Sequence, residues 1–144
     1  MKKLLVLALI AVLSISAFGA AYDDANGTGR WDDPGNWGGS VPTDADQAQF
    51  NVDGTVCLID SATNAVTKRL RLNDTGIFNT LNMTGGTLTI NNAATTYTGL
   101  SLGFNSEGGL GTMNMSGGTV TVANADVAAA GLIVGKIGNG KLNM

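Results

Sequence analysis

Apolar and polar residues alternate along two short stretches of the chain, LNMTGGTLTI at 81–90 and MNMSGGTVTV at 113–122. In the first stretch, Leu81 and Met83 fall on one side of an extended chain, and polar residues fall on the other side. A period of two residues is typical of a β-strand with one buried face. The alternation therefore predicts β-strands, and each Gly-Gly pair predicts a sharp turn between two of them.

The two stretches belong to a repeat of about thirty residues. One repeated element is an L-x-L type triplet, which occurs at 70–72, 100–102 and 132–134. The other is an LNM-type element, which occurs at 81–83, 113–115 and 142–144. The last repeat is shorter because the Gly-rich segment at 104–111 is replaced by KIGNG at 136–140. Length changes confined to such segments indicate loops between repeated strands.

Three strands and three turns per repeat predict one coil of a right-handed parallel β-helix, a solenoid in which each coil stacks on the previous one. Stacking places Leu81, Met113 and Leu142 in one inward row, and Leu88 over Val120. The alternative is an antiparallel sandwich or meander, in which residues 80–90 form a hairpin. Successive repeats are nearly identical, which favours the solenoid, because a sandwich does not require similar strands.

The outward residues of stacked coils should form polar ladders. The predicted pairs and rows are Asn82 with Asn114 and Asn143, Thr87 with Thr119, and Thr89 with Thr121. We interpret them as solvated sheet residues. The alanine-rich segment from Asn124 is ambiguous between strand and a short helical turn.

Residues 22–60 differ from the repeats at 61–144, since they contain both tryptophans, both prolines and many of the aspartates. A stack of coils needs a terminal element that covers its first coil. Trp31, Trp37 and Phe50 could fill that role, which predicts an aromatic N-terminal cap. The pair Asp53-Gly54 predicts a tight hairpin within this segment.

The functional alternative for the same segment is a glycan-binding site. Trp31 and Trp37 would form an aromatic platform for sugar rings, and Asp44 and Asp46 would accept hydrogen bonds from the hydroxyl groups. Asp44 with Asp46, or Asp32 with Asp33, could also supply oxygen ligands to calcium. Neither pair matches a complete calcium-binding loop, so no metal site is predicted.

Residues 1–21 are predicted to be a secretory signal peptide. Lys2 and Lys3 precede an apolar run at 4–18, and small residues follow at 19–21, so cleavage is expected between Gly19 and Tyr22. The apolar run is shorter than the ~20 residues of a membrane-spanning helix. The sequence therefore predicts a secreted or cell-surface protein. Cys57, the single cysteine, cannot form an intrachain disulfide, and its apolar neighbours predict a buried, unreactive thiol.

The charge of the mature chain argues against nucleic acid as a partner. Without the leader, six basic residues stand against eleven acidic residues, a net charge of −5. Nucleic-acid affinity comes mainly from basic side chains that contact phosphates. No basic amphipathic helix is present that would lie on a membrane.

Catalytic chemistry has little support in the sequence. The chain contains no histidine, which excludes Ser-His-Asp and Cys-His sites. Glu107 is the only glutamate and Asp126 is isolated, whereas a glycosidase usually needs two carboxylates across a cleft. One mixed charge cluster could be considered for a lyase, but we interpret it as a solvated face: Asp60, Lys68, Arg69, Arg71 and Asp74. We therefore predict that the protein is not an enzyme. We also predict that it has no catalytic residue and binds no cofactor.

Two motifs resemble those of large secreted bacterial proteins. The segment WDDPGNWGGSVPTDAD at 31–46 resembles the W…NW…G…P…D opening of many exported proteins. The segments TLNMTGG and TMNMSGG resemble the GTLNxSGGT repeats of two kinds of protein, autotransporter-type passengers and proteins with a C-terminal PEP sorting signal. The resemblance implies an exported β-helix at the cell surface or in the extracellular matrix.

The resemblance predicts a structural or adhesive protein. The alternative function is a carbohydrate-active module, either glycan-binding or lyase-like.

No sorting helix or barrel follows the repeats, and the sequence stops within a repeat at Met144, so we expect a truncated reading frame. Surface glycans, or self-association through the open solenoid edge, are the expected partners.

Overall fold

In the computed structural model of the protein, the chain forms two sheets whose strand pairs are all parallel among the described residues. The structure describes residues 19–73, 76–92, 99–103, 108–124, 131–135 and 137–144. The strands are Ala20–Tyr22 (β1), Gln47–Phe50 (β2), Val56–Ile59 (β3), Asn64–Thr67 (β4), Arg69–Leu72 (β5), Phe78–Asn92 (β6), Leu100–Leu102 (β7), Leu110–Asn124 (β8), Leu132–Val134 (β9) and Asn139–Asn143 (β10). A single turn of 3-10 helix, Pro34–Trp37, precedes β2.

Several features of the sequence analysis lie outside the described residues. They are the leader at 1–18, Asp74, Glu107, Asp126 and the alanine-rich segment at 125–130. Ala20 and Ala21, next to the predicted cleavage site, pair in β1 with β2. Cleavage after Gly19 would therefore leave β1 intact, whereas cleavage after Ala21 would remove two of its three residues.

The two kinds of repeated element occupy different sheets. The L-x-L triplets form β5, β7 and β9 of the first sheet, whose order is β1-β2-β5-β7-β9. The LNM elements lie within β6 and β8 and at the end of β10 in the second sheet, where β3 and β4 both pair with β6 on the side opposite β8. Each repeated strand therefore pairs with the same strand of the next repeat, as the spacing predicts. The chain is all-β, with parallel sheets.

Inward-facing residues form continuous apolar rows across each sheet. Leu81 pairs with Met113, and Met113 pairs with Leu142, as predicted. Leu88 pairs with Val120, which is also confirmed. In the first sheet the corresponding row is Phe50, Leu72, Leu102 and Val134. These three rows start with fully buried residues and become more exposed toward the last strands, where Val134 is 44% exposed.

Outward-facing asparagines form the predicted ladder. The Asn114 amide nitrogen donates to the Asn82 side-chain oxygen at 2.8 Å, and the Asn143 nitrogen donates to Asn114 at 2.6 Å. The predicted threonine pairs are aligned as well, Thr87 with Thr119 and Thr89 with Thr121. Identical polar residues lie side by side because parallel strands one repeat apart are in register.

The predicted turn at Gly85-Gly86 is wrong. The residues on both sides of it belong to one strand, β6, which runs for 15 residues and pairs with β8 before and after the two glycines. An irregularity in the pairing between Met83 and Thr87 bends the strand, and Gly86 has a φ of +68° there. The neighbouring strand carries the same Gly-Gly pair and the same bend, so pairing continues where a turn would have ended it.

The predicted hairpin at Asp53-Gly54 is also wrong. The strands on either side, β2 and β3, lie in different sheets and do not pair with each other. Gly54 has a φ of +74°, as a tight turn requires, but the turn carries the chain from one sheet to the other. Between Asn64 and Leu72 the chain likewise passes from β4 in the second sheet to β5 in the first.

Gly86 and Gly27 provide a matched test of the bend in β6. Both have positive φ, but a Cβ at Gly86 would collide with the carbonyl oxygens of Asp60 and Thr63, whereas nothing lies within 4 Å of a Cβ at Gly27. We expect Gly27→Ala to cost about 1 kcal/mol, from backbone strain alone. Gly86→Ala should cost at least about 3 kcal/mol, because backbone atoms must also move. Urea unfolding measures both; equal losses would contradict this packing.

Candidate functional site

Four buried aromatic rings pack together at the β1–β2 end of the first sheet. This aromatic cluster consists of Tyr22, Trp31, Trp37 and Phe50. Tyr22 stacks on Phe50 with ring centroids 4.8 Å apart. Trp37 packs edge-to-face against the other three rings, with distances of 4.8–5.9 Å between ring centroids. The indole nitrogen of Trp37 donates to the backbone carbonyl of Trp31 at 2.6 Å. Such edge-to-face arrangements add specific stabilisation to the burial of the rings.

Neither tryptophan presents a ring face to solvent, since Trp31 is fully buried and Trp37 is 4% exposed. A sugar ring could therefore not stack on them in this conformation. Asp46 is engaged within its own loop, where its Oδ2 accepts hydrogen bonds from the backbone nitrogen and the hydroxyl of Thr43. Asp44 is exposed. Glycan binding by these four residues stays a prediction, and it would require a different arrangement of the rings.

A network of polar side chains holds the loop that leads into the aromatic cluster. Asp33 is its centre: its two oxygens accept hydrogen bonds from the Asn26 amide at 2.9 Å and the Thr28 hydroxyl at 2.7 Å. The Gly35 backbone nitrogen also donates to Asp33 and caps the 3-10 helix. The bonds from Thr28 and Gly35 lower the pKa of Asp33. Buried Asn36 donates to Thr28 and to the carbonyl of Arg30, which fixes the loop from within.

Arg30 connects this loop to the second sheet. Its guanidinium contacts Asp32 at 2.8 Å and Asp60, just after β3, at 2.7 Å. The backbone on both sides follows β3 in parallel: the Leu58 nitrogen donates to Gly29, and the Trp31 nitrogen donates to Leu58. The loop thereby covers the outer edge of β3. The hydrogen bond from Arg30, followed by one from the Ala62 nitrogen, lowers the pKa of Asp60 to about 2.

Cys57 lies in the apolar interior, as its neighbours predicted. Its side chain is fully buried in the inward row of β3. Burial is the main reason why the pKa of the thiol is raised well above its ordinary value. The thiol is therefore protonated at neutral pH, and a protonated buried thiol is a poor nucleophile.

The described residues of the mixed charge cluster near the first repeat are divided between the two sheets. Asp60 bonds to Arg30 at the end of β3 in the second sheet, whereas Arg69 and Arg71 lie on β5 in the first sheet. Arg71 is buried on the outward side of β5, in a row with Gln49 and Ser101. The solvated face that we expected is thus wrong for Arg71.

No three thiol or carboxylate side chains in the described ranges come together as they would around a metal ion. No helix in the same part of the chain has the length and apolar character needed to cross a bilayer. Comparisons with protein-family models, with curated proteins and with solved structures found no match.

Sequence reasoning identified Trp31, Trp37 and Phe50 as packing residues but missed Tyr22, Arg30 and Asn36. Tyr22 is adjacent to the predicted cleavage site, and in the sequence it marks only the boundary of the leader. A signal was present for Arg30, since it is the one basic residue between Lys3 and Lys68 and stands among aspartates. No pattern in the sequence around Asn36 predicts that its side chain is buried.

Truncation of Trp37 tests the aromatic cluster. We expect Trp37→Ala to lower the free energy of unfolding by about 3–5 kcal/mol, because it leaves a large cavity among three rings. Phe78 is a matched control, since it is an aromatic residue that is 56% exposed, and Phe78→Ala should cost well under 1 kcal/mol. Chemical unfolding gives both values. A folded, unchanged Trp37→Ala protein that loses binding on a glycan array would instead support the sugar platform.

The Arg30–Asp60 pair predicts loss of stability in acid. The folded-state pKa of Asp60, about 2, is below the ~3.9 of an unfolded aspartate, so its stabilisation is present above pH 4 and disappears as pH falls toward 2. Asp60→Asn should therefore reduce stability at pH 7 and flatten its dependence on pH between 4 and 2. Urea unfolding at several pH values measures the slope. An unchanged slope in Asp60→Asn, matching the exposed control Asp44→Asn, would contradict the assignment.

Proposed function

We propose that the chain is an exported structural or adhesive protein of the cell surface or extracellular matrix, built as a right-handed parallel β-helix. The observation that supports this most is the pairing of β6 with β8. Thirteen aligned residue pairs join the two strands, and most of them match residues of the same class one repeat apart. A stack of similar strands can extend by adding repeats. This suits a protein whose function depends on its length and on the area of its outer surface.

The aromatic cluster is the cap of this stack in the proposal. Tyr22 and Phe50 belong to β1 and β2 at one end of the first sheet, and Gly29–Trp31 covers the edge of β3 in the second. Because this segment occupies the outer edge of β3, it prevents that edge from pairing with another chain. The burial of both tryptophans supports a cap, and no described feature favours the carbohydrate-active alternative.

The opposite end of the stack is the proposed site of self-association. Leu132 and Val134 are inward-facing residues of β9, yet they are 46% and 44% exposed, because no described strand lies beyond them. Unpaired strand edges with apolar neighbours favour pairing with another strand. Further repeats or a second copy of the chain would satisfy the same edge.

The outward faces supply the adhesive surface. They carry ladders of asparagine and threonine, whose hydroxyl and amide groups can exchange hydrogen bonds with a matrix or a neighbouring surface. Thr119 and Thr121 on β8 are both exposed and point the same way.

Limited proteolysis of intact cells tests location and role together. An antibody against residues 19–144 should detect the protein on untreated cells and lose its signal after external protease, because the proposed location is outside the cell.

Cells that produce Thr119→Lys/Thr121→Lys should attach to surfaces less well than wild type, and Phe78→Ala should leave attachment unchanged. Protein that resists external protease, or attachment that is unaffected by deletion of the gene, would contradict the proposal.

A further inference from the structure

Four asparagines occupy the first position of an Asn-x-Ser/Thr motif. These are Asn26 (NGT), Asn73 (NDT), Asn82 (NMT) and Asn114 (NMS). In exported proteins this motif is the acceptor for N-linked oligosaccharide, which is attached at the side-chain nitrogen in surface loops. The motif alone does not distinguish the four positions, but the fold places them in different surroundings.

Three of the four acceptors are held inside the sheets or the turn between them. Asn73 is fully buried, and its side-chain oxygen accepts a hydrogen bond from the Ile77 nitrogen. Asn82 and Asn114 are half-buried in β6 and β8, and the Asn114 nitrogen is used in the asparagine ladder. Neighbouring parallel strands lie only about 4.8 Å apart. An oligosaccharide on either ladder residue would therefore displace the adjacent strand's side chain.

Asn26 lies in an exposed turn between β1 and the 3-10 helix. Asn26, Gly27 and Thr28 are all exposed. Gly27 has a φ of +65°, and there is open space within 4 Å of the position where its Cβ would be. The acceptor motif thus lies in an exposed turn with open space beside Gly27, and its Asn26 amide packs against Gly35 and must turn outward before transfer.

One carboxylate holds both chemically important groups of this motif. The Asn26 nitrogen donates to Asp33 Oδ1 at 2.9 Å, and the Thr28 hydroxyl donates to Asp33 Oδ2 at 2.7 Å. The amide nitrogen carries two hydrogens, so one can be replaced by a sugar while the other continues to bond to Asp33. Opening of the turn to a transferase requires these two exposed bonds to break, together with the hydrogen bonds that join Asn36 to the Thr28 hydroxyl and to the Asn26 backbone nitrogen. None of these bonds joins two strands of a sheet.

We propose that Asn26 is the acceptor of an N-linked oligosaccharide in the folded protein. The donor is an oligosaccharide linked to a lipid diphosphate. The bond between sugar C1 and the phosphate oxygen breaks, a bond between C1 and Asn26 Nδ2 forms, Nδ2 loses one proton to solvent, and the lipid diphosphate leaves with the electron pair of the broken bond. The inference rests on the export proposed above, because the motif is modified in secreted proteins.

Transfer to the folded chain in vitro tests the assignment. Residues 19–144 are incubated with a purified oligosaccharyltransferase and lipid diphosphate-linked oligosaccharide, and the products are located by peptide mass spectrometry. We expect one glycan, at Asn26, which Asn26→Gln and Thr28→Ala abolish and Asn82→Gln leaves unchanged. Short peptides that contain Asn82 or Asn114 serve as unfolded acceptors and should be modified, which shows that the fold protects these residues.

A variant in which Asp33 no longer holds the loop provides a second test. Asp33→Ala removes both hydrogen bonds to the motif, so the rate of transfer to Asn26 should rise about tenfold. Asn82 and Asn114 should stay unmodified in this variant, as a sign that the sheets remain folded. Absence of product at Asn26, or equal product at Asn82 in the folded chain, would overturn the proposal. Because the assay uses no cells, such a failure is distinct from failure to find the protein at the cell surface.

Discussion

Parallel pairing between strands one repeat apart is the interaction on which the rest of the structure depends. It aligns each apolar residue with a similar residue of the next repeat, so that Cys57, Leu81, Met113 and Leu142 form one inward row. The same pairing brings the outward asparagines to within hydrogen-bond distance of one another. Parallel strands need long connections, and the repeat length of about thirty residues supplies them.

The two ends of this arrangement differ in chemistry. At one end, aromatic burial and the Arg30–Asp60 contact tie the loop at 23–36 to both sheets. At the other end, the inward rows finish in half-exposed aliphatic residues such as Leu132. This asymmetry is the basis for a capped and an extensible end in the proposed β-helix. It also separates the two proposed surface features, since Asn26 lies in the capped part and the polar ladders lie along the repeats.

The sequence predicted those parts of the fold that depend on period and register. Alternation and spacing were sufficient to place Leu88 over Val120 and Asn82 beside Asn114, because both follow from a parallel repeat. Local turn chemistry was less informative. Gly85-Gly86 bends a continuous strand, since the same bend in β8 preserves the pairing, and Asp53-Gly54 connects two sheets although its composition fits a hairpin equally well. The burial of Arg71 and Asn36 depends on residues distant in sequence, which no local pattern reports.

Nuclear Overhauser contacts between backbone protons test the central claim most directly. Parallel pairing across repeats predicts contacts between residues such as Asn82 and Asn114, and between Thr89 and Thr121, which β6 and β8 place side by side. It also predicts no contacts between the two halves of β6. Contacts between residues 78–83 and 87–92, without contacts from β6 to β8, would show a hairpin. That result would contradict both the parallel sheets and the β-helix proposed from them.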